Sequence, residues 1–352
     1  MASAQPDPLL PPGGGAPAAP DARLADLIIR ELDRRLPAGA GRTLAGGAPA
    51  APAGPDGLLR PLLLVRSALA TGGSLARVLP AAVGLEYVHS GGARHPSADG
   101  DRADRAVPGA PGPRTAIHDR LGSATAVVLA TTPFHTWFEA LSECAARGVP
   151  EDRIILACRI HAAAARAVRA GTAGERGRTG PPDAAGWLDA ARLITAAPFA
   201  AACRIGATLA GAPAEGAAAL AVYGEHLGMA LRIQYVLRPF TLSPHGDGNG
   251  HRAQDPGDHR IARTLPVLLA HDLADPAQRL ALDGALAAAP GPGPARAIHA
   301  LVVETGGHLA AAGLGRRHAI RAAGALTALP DNAHRRRLLA LVPAPAGPGP
   351  FQ

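Results

Sequence analysis

Strand-type alternation is almost absent from this sequence, and apolar residues recur at helical spacing instead. Leu24, Leu27, Ile28, Leu32 and Leu36 share one face of a helix that Asp21 can cap. Leu79, Val83, Glu86, Tyr87 and Val88 keep the same period in a further helix that ends at Ser90, Gly91 and Gly92. Alanine dominates these runs and only 3% of residues are aromatic, which favours helices packed through small side chains. The expected class is all-α.

The chain of 352 residues is long enough for one large helical domain or two small ones. Its 35 prolines and 43 glycines cluster at the ends and in a few loops. Residues 1–20 and 343–352 read as disordered tails and 37–55 as a flexible loop, leaving a single helical domain over 21–342. The net charge of +7 comes from scattered arginines, without lysine, aromatic interleaving or a basic helix face. That pattern describes a solvated surface and predicts no nucleic-acid partner. Cys144, Cys158 and Cys203 form no Cys-x-x-Cys pair, so they read as small buried thiols in a reducing cytoplasm. Neither a signal peptide nor an apolar run long enough to cross a bilayer is expected.

Further helices are expected from Arg114 to Arg147 with a kink at Pro133, from Glu151 to Ala170, from Trp187 to Gly211 and from Ala217 to Pro239. Others start at Arg263, Pro276, Pro294, Gly315 and Asp331, and Gly171 to Asp183 reads as a polar loop. Phe134, Trp137 and Phe138 follow at helical spacing. They could line an apolar cavity and steady a carbocation through their ring faces, or pack in an ordinary core. Two polar loops hold candidate ligands. One carries His95, Asp99, Asp101 and Asp104, where Asp101 and Asp104 would share a helix face and offer oxygens to a metal, or form a solvated acidic loop. The other, Ser243 to Asp258, holds His245, Asp247, Asn249, His251 and Asp255, which suit either a transition metal or a solvated loop.

Five partial motifs occur in a fixed order. His89 and His95 stand six residues apart, and Pro113, Thr115 and His118 step into the next helix. Gly57 to Pro61 brings Arg60 to a helix start, and Gly122 to Thr132 is an apolar run. Leu227, Gly228, Ala230 and Ile233 form a fourth match, and Thr264, Leu265 and Pro266 a fifth. Together, over roughly Arg60 to Leu269, the chain resembles the polyprenyl synthetases, the isoprenyl diphosphate synthases. The resemblance implies one helical bundle of isoprenoid-synthase type around a central apolar cavity.

In that family paired aspartates in two regions hold magnesium against a diphosphate, and lysines and arginines hold the diphosphate directly. Here Pro96 and Ser97 replace the first pair, and Tyr235, Val236 and Pro239 replace the three aspartates of the second region. Gly57, Ile194 and Ala262 stand at lysine positions, and Thr132 stands at an aspartate position. Arg60 matches a diphosphate-holding arginine; without that role it is a surface arginine at a helix start. The resemblance implies a place in isoprenoid biosynthesis and an apolar isoprenoid ligand. The losses imply a degenerate member unable to elongate a prenyl chain with magnesium. It would act as a non-catalytic subunit, homo- or heterodimeric with an active prenyl synthase, or as an isoprenoid binder. The alternative is a repurposed terpenoid-processing enzyme, a prenyl transferase or cyclase, in which His89, His95 and Asp99 are the candidate acids and Asp101 and Asp104 a displaced metal site.

Overall fold

A computed structural model describes residues 20–35, 58–93, 123–177, 183–241, 263–288 and 291–343. Every regular element among them is helical: α1 (Pro20–Arg35), α2 (Leu59–Ala70), α3 (Leu75–Ala93), α4 (Ser123–Ala146), α5 (Glu151–Gly177), α6 (Ala184–Ala191), α7 (Ala197–Ala210), α8 (Ala214–Thr241), α9 (Leu265–Leu273), α10 (Pro276–Ala287), α11 (Pro292–Glu304), α12 (Gly307–Ala325) and α13 (Ala333–Ala340). The all-α expectation holds. Residues 1–157 and 205–212 make one compact unit, and 158–204 with 213–352 make a second.

The first unit is built around α2, in which every residue from Pro61 to Ala68 is buried. Small residues set the helix spacings, as alanine-rich helices require. A Cβ on Gly206 would collide with the Leu64 carbonyl oxygen, so α2 and the end of α7 touch backbone to backbone. A Cβ on Gly84 of α3 would lie 2.6 Å from the Ala140 methyl of α4, and Trp137 packs beside it. Pro80 lies inside α3 and removes the N–H that would serve the Ala76 carbonyl. Arg147 Nη1 donates to that carbonyl at 2.7 Å, so the orphaned acceptor is satisfied from outside the helix. Tyr87 donates its hydroxyl to the Leu32 carbonyl at 2.8 Å, and Arg35 donates to Glu143 at 2.6 Å, which docks α1. The apolar stripe expected on α1 is present, with Leu24 and Ile28 buried.

In the second unit α8 and α12 pack along one another. Gly224 and Gly228 of α8 are pressed against Phe199 and Ala196, and Tyr223 donates to the Leu338 carbonyl at 2.7 Å. Between α6 and α7 the helix widens into a π turn, Arg192–Ala196. One core patch gathers Ile233, Val236, Leu237, Leu265 and Ala311; another gathers Val267, Ala270, Leu282, Ile298 and Val302. Burying each such aliphatic side chain contributes about 1.5–3 kcal/mol. Caps fix several starts: Asp275 and Gln278 form a capping box at α10, and Asn332 accepts from the Arg335 N–H at α13.

Several expected boundaries are corrected. The helix expected to end at Ser90 continues to Ala93. The helix expected to end at Ala170 continues to Gly177, with Gly171 inside it, because that glycine seats Leu193 and Ile194 rather than starting a loop. The helix expected from Gly315 begins at Gly307, and Gly315 lies mid-helix under Ile233. Among the described residues the stretch Ala184–Ala210 is long and apolar enough to cross a bilayer, against the expectation of no such span. Its Ala190, Ala191, Ala196 and Phe199 are buried in the second unit, as in a core helix. The loop 243–258, the acidic loop residues and the segment from Arg114 to Gly122 lie outside the described residues. Helix α4 is unbroken across Pro133.

Not every glycine is used for contact. Gly284 lies exposed in α10, and a Cβ added there would have no heavy atom within 4 Å. Gly284→Ala is expected to stabilise the protein by about 0.5–1 kcal/mol through the lower helix cost of alanine. Chemical denaturation checks this; a lower midpoint would show that the site is not free.

Candidate functional site

Arg60 occupies the first turn of α2 and turns inward. Burial pushes its pKa down, and the Glu86 carboxylate on α3 opposes that shift. Glu86 is itself buried. The surface alternative for Arg60 is therefore replaced by an interior one, in which a guanidinium and a carboxylate on adjoining helices share a desolvated site. Such charges are retained only where each compensates the other.

The aromatic trio on α4 is divided. Trp137 is buried against Gly84, whereas Phe134 and Phe138 are 42% and 58% exposed. The three do not form one lining within the first unit. His89 lies in α3. His95, Asp99, Asp101 and Asp104 lie outside the described residues.

The second aspartate-rich position is described in full on α8. Its matching residues are packing residues: Leu227 and Ile233 are fully buried, Ala230 nearly so, and Gly228 sits on Ala196 and Phe199. Its replaced residues are those that would carry oxygen ligands. Tyr235 is 45% exposed, Val236 is in the core, and Pro239 lies in the last turn. Arg232 lies 5.8 Å over the Trp187 ring and 5.9 Å over Tyr235, and Arg238 lies 5.5 Å over Tyr235. After Glu225 the helix carries no Asp or Glu. A place that would gather carboxylates around a cation instead sets two cations within cation–π reach of aromatic rings.

Ile194 and Thr195, at the expected Lys-Thr position, fall inside the π turn, where Ile194 packs on Gly171. Thr264 precedes α9, and Leu265 and Pro266 are buried there.

One pair was not foreseen. His226 on α8 and His318 on α12 face each other with Nδ1 atoms 3.1 Å apart. Glu225 beside them pairs with Arg192 at 2.8 Å. No local spacing signal joins residues 92 positions apart, and only the packing of α8 on α12 brings them together. Burial pushes the His318 pKa down to about 4, with His226, Arg321 and Arg317 pushing the same way and Glu225 opposing. Burial also lowers His226, with Arg321 and Arg192 adding to it and Glu225 opposing.

A histidine whose folded pKa lies below its ordinary value of 6.5 takes up its proton first in the unfolded chain. The neutral pair is fully compatible with the fold above that value, and stability is lost as pH falls from about 6.5 towards 4. Both rings are half-exposed, so solvent screening reduces the contribution to about 1 kcal/mol. In chelator-treated protein, the melting temperature should fall less over this window in His318→Gln than in the parent. Equal slopes would show that His318 does not set the pH dependence.

No family model and no curated protein sequence matches the chain. Solved structures do. The chain is similar to a polyprenyl synthetase from Streptomyces coelicolor A3(2), at 28% identity and a TM-score of 0.72, covering 91% of this chain and 96% of that one. It is similar to a polyprenyl synthase from Caulobacter crescentus CB15 complexed with calcium and isoprenyl diphosphate, at 25% identity and 0.69, covering 91% and 94%. A geranylgeranyl pyrophosphate synthetase from Pyrococcus horikoshii Ot3 shares the fold at 20% identity and 0.75, covering 91% and 94%. These likenesses show the all-α isoprenoid synthase fold, and the ordered motif positions on α2, α8 and α9 make the chain similar to the polyprenyl synthetases, with other residues at both aspartate-rich motifs.

Proposed function

We propose that this protein is a non-catalytic member of its family, which binds an isoprenoid and serves as partner subunit to an active prenyl synthase in the cytoplasm. The observation that carries the reading is the end of α8, where Tyr235 stands in place of a carboxylate and Arg232 and Arg238 lie within cation–π reach of it, with Arg232 also over Trp187. Magnesium is the metal the family implies, and the residues of this second region do not fit it. Magnesium takes near-octahedral oxygen ligands, whereas Arg, Val and Pro side chains offer none and Tyr offers a neutral phenol. Arginine is a donor only, and two guanidiniums beside one another repel a dication.

What these residues can do is hold an anion. A guanidinium offers a fork of N–H donors that suits a phosphate-type oxygen, and Arg232 and Arg238 together supply positive charge beside the rings without a metal. The protein would then grip a prenyl diphosphate headgroup without drawing it off the chain. Ionisation needs charge focused on the leaving group as the bond breaks, and a site lacking magnesium does not supply it. The partner role is supported by the first unit, which leaves Phe134, Phe138, Ile155 and Leu156 exposed on α4 and α5.

The test mixes the protein with an active prenyl synthase encoded beside it and follows both assembly and product chain length. A heteromeric complex with altered product length is expected. Separate elution with unchanged products would remove the subunit role.

A further inference from the structure

We propose that His226 and His318 form a two-nitrogen chelate for one borderline transition-metal ion, of the zinc, nickel or copper(II) class, which staples α8 to α12. Bonds from imidazole nitrogen to such ions are about 2.0–2.1 Å. At angles between square-planar and tetrahedral, two of these bonds place their nitrogens about 2.9–3.4 Å apart. The two Nδ1 atoms are 3.1 Å apart, with ring centroids 5.1 Å apart and the ring planes at 61°. The two nitrogens therefore already stand at the separation that a shared ion requires, and a small turn of each ring aims its lone pair at that ion.

The same spacing serves the metal-free protein, in which one Nδ1–H donates to the other Nδ1. Metal uptake asks only that the donating ring move its hydrogen from Nδ1 to Nε2 through solvent. Both rings stay neutral and the proton count is unchanged.

The supports are rigid. His226 and His318 lie well inside long helices, and Gly315, one turn before His318, packs on Ile233 of α8. Tyr223, one turn before His226, is anchored to the Leu338 carbonyl. A pre-set pair loses little freedom on binding, and the cross-link closes a segment of 92 residues.

Charge and donor type set selectivity and strength. Imidazole nitrogen suits zinc, nickel and copper and is a poor ligand for magnesium, so this site is separate in chemistry from the family's metal. The Glu225 carboxylate favours a cation, whereas Arg192, Arg317 and Arg321 oppose one, which keeps the affinity modest. Among the described residues no group of three or more His, Cys, Asp or Glu gathers, so water completes the coordination.

The test uses the full chain, stripped with chelator, at neutral pH. Zinc or nickel is expected to raise the melting temperature with a stoichiometry of one, and magnesium is expected to leave it unchanged. With 15N-labelled histidine and zinc, the Nδ1 resonances of two of the fourteen histidines should move together. This readout needs no variant. His226→Gln and His318→Gln should each weaken zinc binding by at least about tenfold. An unchanged melting temperature and unmoved Nδ1 resonances at saturating zinc would overturn the proposal. So would equal zinc affinity in the parent and both variants.

Discussion

Incubated alone with isopentenyl diphosphate, an allylic diphosphate and magnesium, the protein is expected to release no elongated prenyl product. The reason is cumulative. Loss of a single pre-set donor to a developing anion costs roughly 10²–10³ in rate. Here Pro96 and Ser97, and then Tyr235, Val236 and Pro239, replace both metal-holding regions, and Gly57, Ile194 and Ala262 replace three lysines. Among the described residues α8 has no carboxylate beyond Glu225, and that residue pairs with Arg192. Radiolabelled isopentenyl diphosphate gives a sensitive readout. Magnesium-dependent product from the isolated protein would contradict this account.

The second large effect concerns the fold. Gly206→Ala is expected to destabilise the protein by about 3 kcal/mol. The added methyl would fall on the Leu64 carbonyl oxygen, within 2.9 Å of the Leu64 carbonyl carbon and 3.2 Å of the Ala68 nitrogen. These are main-chain atoms of a buried helix, so no side chain can rotate away and the two helices must separate. Urea denaturation would show the loss as a lower midpoint with a similar slope. A change below about 0.5 kcal/mol, the range of an ordinary surface substitution, would mean that the helices do not touch there.

The packing half of the molecule is readable from residue spacing. Leu24 and Ile28, which helical spacing places on one face of α1, are fully buried. The expected start at Pro276 matches α10, where Asp275 accepts from two backbone N–H groups. Glycine was the chief source of error, because it has two uses that look alike in a sequence. Gly171 and Gly315 read as helix ends, yet each lies inside a helix to admit an isoleucine from another segment. The partner that distinguishes contact from punctuation is remote in sequence.

The same limit hid the chemistry. Arg60 was equally consistent with a surface position until α3 placed Glu86 against it. Tyr235 is visible as a substitution, but the approach of Arg232 to Trp187 and Tyr235 depends on how α6 meets α8. His226 and His318 had no mutual signal at all.

The proposed function requires the end of α8 to hold anions without magnesium. Calorimetric titration of the protein with a prenyl bisphosphonate, in the presence and absence of magnesium, tests it most directly. The account predicts measurable binding whose affinity magnesium leaves unchanged, and which Arg232→Gln weakens. A complex that forms only with magnesium, or tightens by about tenfold or more when magnesium is added, would contradict it.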